Sequence, residues 1–252
     1  MIFDVHCHLD HPDFEKDLDE VISRSKNHKV VSIISNGTNP ASNRNVLAIS
    51  DKYDIVHPAL GIFPDEVSNL SEIEIEDELK FIKKHKDKIK ALGEVGLDFS
   101  EDIPLKKQKN LFEQFISLSE KLKLPLIVHS RKAESEIIEV LTSSKVKKVI
   151  LHHFSGNKKL IDKAYDNNFF FSIPTSIVKS QHFQFIVDKI PLSNLFTETD
   201  SPYLSPVKGE RNEPFHVVET IKVIAKIKNL TIEEAEKILF MNYQKFFIKN
   251  YK

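Results

Sequence analysis

Eight short β-rich runs alternate with longer amphipathic stretches along the whole chain, and no other feature restricts the fold so strongly. The expected strands are Ile2–Leu9, Val30–Ser35, Ile55–Leu60, Lys90–Gly96, Leu126–His129, Lys148–His152, Phe169–Ile173 and Leu195–Asp200. Between them the apolar residues move to helical spacing, as in Leu111, Phe112, Phe115, Leu118 and Leu122. Ser71 followed by Glu74 has the form of a capping box and predicts a helix start. Strict β-then-α alternation implies a parallel sheet with right-handed crossovers. Runs such as Val30-Val31-Ser32-Ile33-Ile34 are nearly continuously apolar, the pattern of strands buried on both faces. Eight such units in 252 residues predict a TIM-like (β/α)₈ barrel, with helices near Glu213–Lys226 and Ile232–Phe247 packed outside it. An open doubly wound sheet is the rival, but no G-x-G-x-x-G follows the first strand and the chain has only six glycines. No repeat, low-complexity segment or linker interrupts the pattern, so residues 1–252 are expected to form a single domain.

Lysine plus arginine (36) nearly cancel aspartate plus glutamate (37), giving a net charge of −1. A general electrostatic binder of nucleic acid usually carries a basic excess, so local groups and bound metal would have to hold any phosphate. No apolar run reaches the roughly 18 residues of a membrane span. Met1-Ile2-Phe3-Asp4 enters a strand pattern directly, without a basic segment followed by an apolar one. The single cysteine, Cys7, suits a reducing compartment. The expectation is a cytoplasmic protein with no membrane association and no obligate protein partner.

In a barrel of this kind the chemistry gathers at the C-terminal ends of the strands. Metal-ligand residue types gather there in the sequence. His6 and His8 close the first strand, two positions apart and therefore on one side of it, with Cys7 turned away. Glu94 ends the fourth strand, His129 the fifth, His152 the sixth and Asp200 the eighth. Each alone is weak, because a histidine at a strand end is more often packed than metal-bound. Six such residues at the ends of five strands form a set. It contains no thiolate, which excludes a closed structural zinc site of the cysteine type. Imidazole with carboxylate suits Zn²⁺, Mn²⁺ or Mg²⁺ with open positions for water and substrate. Four imidazoles and two carboxylates exceed the needs of one tetrahedral ion, and two divalent ions bridged by Glu94 would use them.

Five blocks carry a family resemblance: His6-Cys7-His8-Leu9-Asp10, Gly93-Glu94-Val95-Gly96-Leu97-Asp98, Leu124-Pro125-Leu126-Ile127-Val128-His129-Ser130-Arg131, Leu151-His152-His153-Phe154-Ser155-Gly156 and Glu198-Thr199-Asp200-Ser201-Pro202-Tyr203-Leu204. In order and spacing they resemble the signature blocks of TatD-like deoxyribonucleases, and Arg211-Asn212-Glu213-Pro214 and Asn242-x-x-x-Phe246 extend the likeness to the end of the chain. The resemblance implies a metal-dependent hydrolase barrel with a divalent metal centre and nuclease activity on DNA, and the leading functional expectation is a 3′–5′ exonuclease-type enzyme acting on single-stranded ends. The resemblance also implies that His6 and His8 bind a first metal, His129 and His152 a second, and Glu94 both. Asp200 would bind the first metal and act on the catalytic water, making Asp200 and Glu94 the catalytic pair. The chain departs from the pattern at Gly61-Ile62-Phe63-Pro64, where relatives carry Gly-x-His-Pro, and at His153, where they carry cysteine.

Five further residues are expected substrate contacts, four of them beside a plainer role. Arg131 grips phosphate or forms a surface ion pair. Ser155 and Asn157 frame an anion site or cap a helix. Tyr203 stacks on a base or packs. Arg211 reaches the site from the loop after the eighth strand. The alternative activity is hydrolysis of a small ester or amide on the same scaffold. Relatives of that kind often hold a carbamylated lysine where this chain has Glu94. A non-enzymatic binding module is the third possibility, and the complete ligand set argues against it.

Overall fold

The computed structural model describes residues 1–100 and 103–247. Among these the strands are β1 (Ile2–Cys7), β2 (Val30–Asn36), β3 (Val56–Leu60), β4 (Ala91–Asp98), β5 (Leu126–Arg131), β6 (Val149–His152), β7 (Phe170–Ile173) and β8 (Leu195–Thr197). Helices α1 (Leu18–Asn27), α2 (Pro40–Lys52), α3 (Glu72–Lys84), α4 (Leu105–Leu122), α5 (Glu134–Thr142), α6 (Lys158–Asp166) and α7 (Gln181–Lys189) fall between successive strands, and α8 (Val217–Ile227) and α9 (Ile232–Phe247) follow the last. The strands make one sheet in chain order, β1 to β8, which is the expected topology of a (β/α)₈ barrel. Its parallel ladders include β1 with β2, β4 with β5, and β7 with β8. No helix among the described residues is long and apolar enough to cross a membrane.

Chain contacts divide the molecule into two compact units. Of the described residues, the first holds 1–35, 49–56 and 170–247. Its core is aromatic: Phe3 of β1 stacks on Tyr243 of α9 with centroids 4.9 Å apart, and Phe196 of β8 lies 5.2 Å from Phe246. Such pairs contribute about 0.5–1.5 kcal/mol each beyond simple burial. Two polar clamps add direction. The Tyr243 hydroxyl meets Ser32 Oγ at 2.6 Å, and Asn242 Nδ2 donates to Leu192 O at 2.6 Å. The Asn242-x-x-x-Phe246 segment therefore fastens the last helix beneath β8. Within the same unit β8 returns to β1, with Thr197 Oγ1 donating to Phe3 O at 2.7 Å.

Of the described residues, the second unit comprises 36–48, 57–100 and 103–169. All eight residues of β4 are buried, and α4 lays Leu111, Phe112 and Phe115 into the core. The capping box at α3 forms as expected: Ser71 Oγ accepts from Glu74 N at 3.3 Å while Glu74 Oε2 accepts from Ser71 N at 2.8 Å. Strands β4 and β5 run two residues past their expected ends because they continue to pair, Leu97 with Ser130 and Asp98 with Arg131. By contrast β8 stops at Thr197, three residues before the expected end at Asp200. Asp200 lies instead in a turn at φ 57°, with its N–H donating to His6 O at 2.9 Å.

Candidate metal centre

In the first unit β1 ends at Cys7, two residues short of the expected Leu9, so His6 lies in the strand and His8 just past it, while Cys7 turns away, its Sγ 3.6 Å from Ile34 O. The two imidazoles bring their Nε2 atoms within 3.2 Å of each other. Asp200 Oδ1 lies 3.3 Å from His6 Nε2 and 3.5 Å from His8 Nε2. Buried Asp4 holds this arrangement from below. Its Oδ1 accepts from the His6 N–H at 3.1 Å and the Thr199 N–H at 3.0 Å, and its Oδ2 accepts from the Thr199 hydroxyl at 2.5 Å. Burial pushes the Asp4 carboxyl up to about 8 despite those bonds. Asn212 Nδ2 ties the same segment by donating to Thr199 O at 2.8 Å. Glu198, buried beside it, accepts from the Ser172 hydroxyl.

In the second unit, Glu94, His129 and His152 form a looser group whose ligand atoms lie within 4.8 Å of one another. Glu94 Oε1 is 2.8 Å from His129 Nδ1 and 3.8 Å from His152 Nε2. The other nitrogen of His129, Nε2, lies 3.0 Å from Asp98 Oδ2. Glu94, Gly96 and Asp98 alternate along β4, so the His129 ring sits across Gly96 with a carboxylate at each nitrogen. Gly96 pairs with His129 in the ladder, and a Cβ there would stand 2.0 Å from His129 O. The Phe63 ring meets the His129 ring edge-on, with centroids 4.6 Å apart.

All six ligands expected from the sequence thus fall into two three-donor groups, one per unit. The expected substrate residues are placed differently from one another. Tyr203 is about half exposed (51%) and presents its ring 6.2 Å from His8 and 5.5 Å from His11. Arg131 is exposed at the end of β5. Asn157 caps α6, its Oδ1 accepting from Lys159 N at 3.0 Å and Leu160 N at 3.2 Å, and Ser155 Oγ donates to His153 O at 3.3 Å. Arg211 is bound by Asp17 at 2.7 Å and Glu213 at 2.9 Å and lies over the Phe14 ring. Asp4 and Asp98 were not singled out in the sequence. The signal for Asp98 was there in the period-two run Glu94-x-Gly96-x-Asp98.

A family model described as TatD related DNase matches residues 3–248. The chain belongs to this family. It is 34% identical to human deoxyribonuclease TATDN3, over 98% of this chain and 95% of that protein. It is 36% identical to the uncharacterized metal-dependent hydrolase MJ1582 of Methanocaldococcus jannaschii, over 97% of this chain and 96% of that one. Among solved structures, the TatD homologue YJJV of Escherichia coli superposes with a TM-score of 0.91 at 25% identity, covering 98% of this chain and 97% of its own. The fold is therefore the TIM-like barrel of TatD proteins, and the chain is a metal-dependent hydrolase of that family.

The donors fit the metal chemistry of such a TatD protein. Tetrahedral coordination at about 2.1 Å spaces neighbouring ligand atoms about 3.4 Å apart, and the His6–His8–Asp200 separations are 3.2, 3.3 and 3.5 Å. Two imidazole nitrogens at that distance share at most one proton, whereas a cation satisfies both lone pairs and the carboxylate together.

Without metal, Glu94, His129 and Asp98 form an ionic triad. Burial disfavours charge on His129, but the Asp98 and Glu94 hydrogen bonds outweigh it and hold the imidazole up at about 9. Burial likewise acts to raise Asp98, and the His129 and Ser100 bonds bring it down to about 2. A histidine raised in the folded state stabilises fully below its ordinary value, 6.5, and that contribution is lost as pH climbs through about 9. Chelator-stripped protein is therefore expected to lose thermal stability between pH 7 and about 10. His129→Gln should flatten the melting temperature over that range, and an unchanged slope in the variant would contradict the assignment.

Proposed function

We propose that the chain is a two-metal phosphodiesterase that trims single-stranded DNA ends in the 3′–5′ direction. The observation that carries this reading is that, among the described residues, the six expected residues fall into two thiolate-free histidine–carboxylate groups, one in each unit. The family description and the name of the human relative supply the DNA substrate. The match of one family model to nearly the whole chain supports treating both units as a single hydrolase domain.

His6, His8 and Asp200 would hold one divalent ion, and Glu94, His129 and His152 a second, with Mg²⁺, Mn²⁺ or Zn²⁺ all compatible. The resemblance assigns Glu94 to both ions. When bound, such ions polarise water and neutralise charge on a phosphate. The Asp200 carboxylate keeps part of its side chain open to solvent (16%) beside the nearly closed His6, so it can receive the proton that water loses as its oxygen attacks phosphorus. The bond that breaks is the phosphodiester P–O bond. Tyr203 offers a ring at the edge of the first group for an unpaired terminal base, and Arg131 a guanidinium for phosphate. Arg211, already held by two carboxylates, serves to fix the loop after β8.

The deciding experiment is metal analysis of the purified protein, coupled to assays on single-stranded DNA, RNA and a generic phosphodiester with and without chelator. The expected result is close to two equivalents of divalent metal per chain and end-directed cleavage of single-stranded DNA that stops in EDTA. Cleavage of a small ester or amide with DNA untouched would replace this reading by the alternative hydrolase.

A further inference from the structure

We propose that Asp98 is a positioning residue that fixes the tautomer and orientation of His129 and so sets the affinity of the second group for its ion. The inference rests on the two-metal reading and extends it to a residue outside the ligand set.

His129 has two ring nitrogens and two carboxylate neighbours. Nδ1 faces Glu94 Oε1 at 2.8 Å, inside the three-donor group, and Nε2 faces Asp98 Oδ2 at 3.0 Å, outside it. If Nδ1 gives its lone pair to a cation, the remaining proton must sit on Nε2. Asp98, itself 4% exposed, is the acceptor placed to receive that N–H. A neutral acceptor would satisfy the same N–H. The charge of a carboxylate does more: it raises the electron density at Nδ1 and disfavours the tautomer that would point a proton at the metal.

Asp98 is itself held against rotation. Its Oδ1 accepts from Ser100 N at 2.8 Å and Ser100 Oγ at 2.5 Å. Its backbone is gripped on both sides by one buried side chain from α4: Gln108 Oε1 accepts from Asp98 N and Gln108 Nε2 donates to Asp98 O, both at 2.9 Å. An ion pair that only added stability would not call for such a frame. The Phe63 ring lies edge-on to the imidazole, so the ring is confined by packing as well as by hydrogen bonds.

The test uses chelator-stripped full-length protein titrated calorimetrically with Zn²⁺ or Mn²⁺ alone, with ¹⁵N-histidine NMR on the same samples. Asp98→Asn keeps the shape and an acceptor oxygen but removes the charge. It should weaken one of two metal equivalents roughly tenfold and leave the other unchanged, and Asp98→Ala should weaken it roughly a hundredfold. In loaded wild-type protein His129 should be neutral and protonated at Nε2, and Asp98→Ala should show mixed tautomers. Should Asp98→Ala fail to fold, the isosteric variant and the wild-type NMR spectrum still decide. Wild-type affinity for both equivalents in a folded Asp98→Asn, or a His129 proton on Nδ1 in the loaded protein, overturns the role of Asp98. A wild-type titration with no second equivalent removes the two-metal reading itself.

Discussion

Asp200→Asn is expected to reduce the turnover of single-stranded DNA by about a thousandfold or more, within the range that loss of a general base produces. The substitution is nearly isosteric. Asparagine also tolerates the left-handed backbone that Asp200 adopts at φ 57° better than most residues, so the turn after β8 should survive. What disappears is the negative charge that lies 3.3 and 3.5 Å from the two imidazoles, and with it the group placed to take a proton from water. The two roles can be separated. If the carboxylate only held metal, saturating Mn²⁺ or Zn²⁺ would restore turnover; if it also accepts the proton, turnover stays low in a metal-loaded variant. Activity within tenfold of wild type, in protein shown to carry its metal, would remove Asp200 from the chemistry.

The second large effect is predicted for Gly96→Ala, which changes no side chain of either metal group. Gly96 stands at φ 151°, and an added Cβ would fall 2.0 Å from the carbonyl oxygen of His129. That oxygen is backbone inside a buried ladder and has no rotamer through which to yield. Overpacking and backbone strain each cost roughly 1–3 kcal/mol, so a loss of about 3 kcal/mol or more is expected. For a domain of this size the melting temperature should fall by roughly 6–12 °C. The strand shift would also carry His129 away from Glu94, and metal bound at the second group should be lost with it. Gly209→Ala is the control. Gly209 too has positive φ, at 84°, but nothing lies within 4 Å of its Cβ position, and about 1 kcal/mol is the expected cost. Equal effects in the two variants, measured by thermal melts and metal content, would show that the contact with β5 is unimportant.

Much of this molecule could be read from residue order. The alternation of strand and helix patterns yielded eight parallel strands in sequence order. The i, i+2 spacing agrees with the meeting of His6 and His8, and Glu94, His129 and His152 come together although β4 runs four residues past Glu94 and β5 two past His129. These inferences succeed because each depends on a local period or on a position within one element. Asp98 escaped because the expected fourth strand ended at Gly96. Only the continued pairing of Asp98 with Arg131 carries the strand on and delivers the carboxylate to the back of His129. Phe63, read only as a lost imidazole, packs against the His129 ring.

The loop residues show the same limit. Arg211 binds Asp17 across 194 positions of sequence, and no local pattern announces such a partner. Asn157 and Ser155 were open between anion binding and local structure, and their hydrogen bonds now go to the helix start and a neighbouring carbonyl.

The order of residues by itself determined the strand count and the chemical type of the histidines and carboxylates that form the two candidate groups, because hydrophobic period and side-chain chemistry are properties of short segments. Only the tertiary structure decided which carboxylate backs which imidazole, which arginine is already neutralised and which glycine can have no substitute. Those outcomes depend on distances of about 3 Å between segments far apart in the chain, and such distances are fixed by strand register and turn geometry.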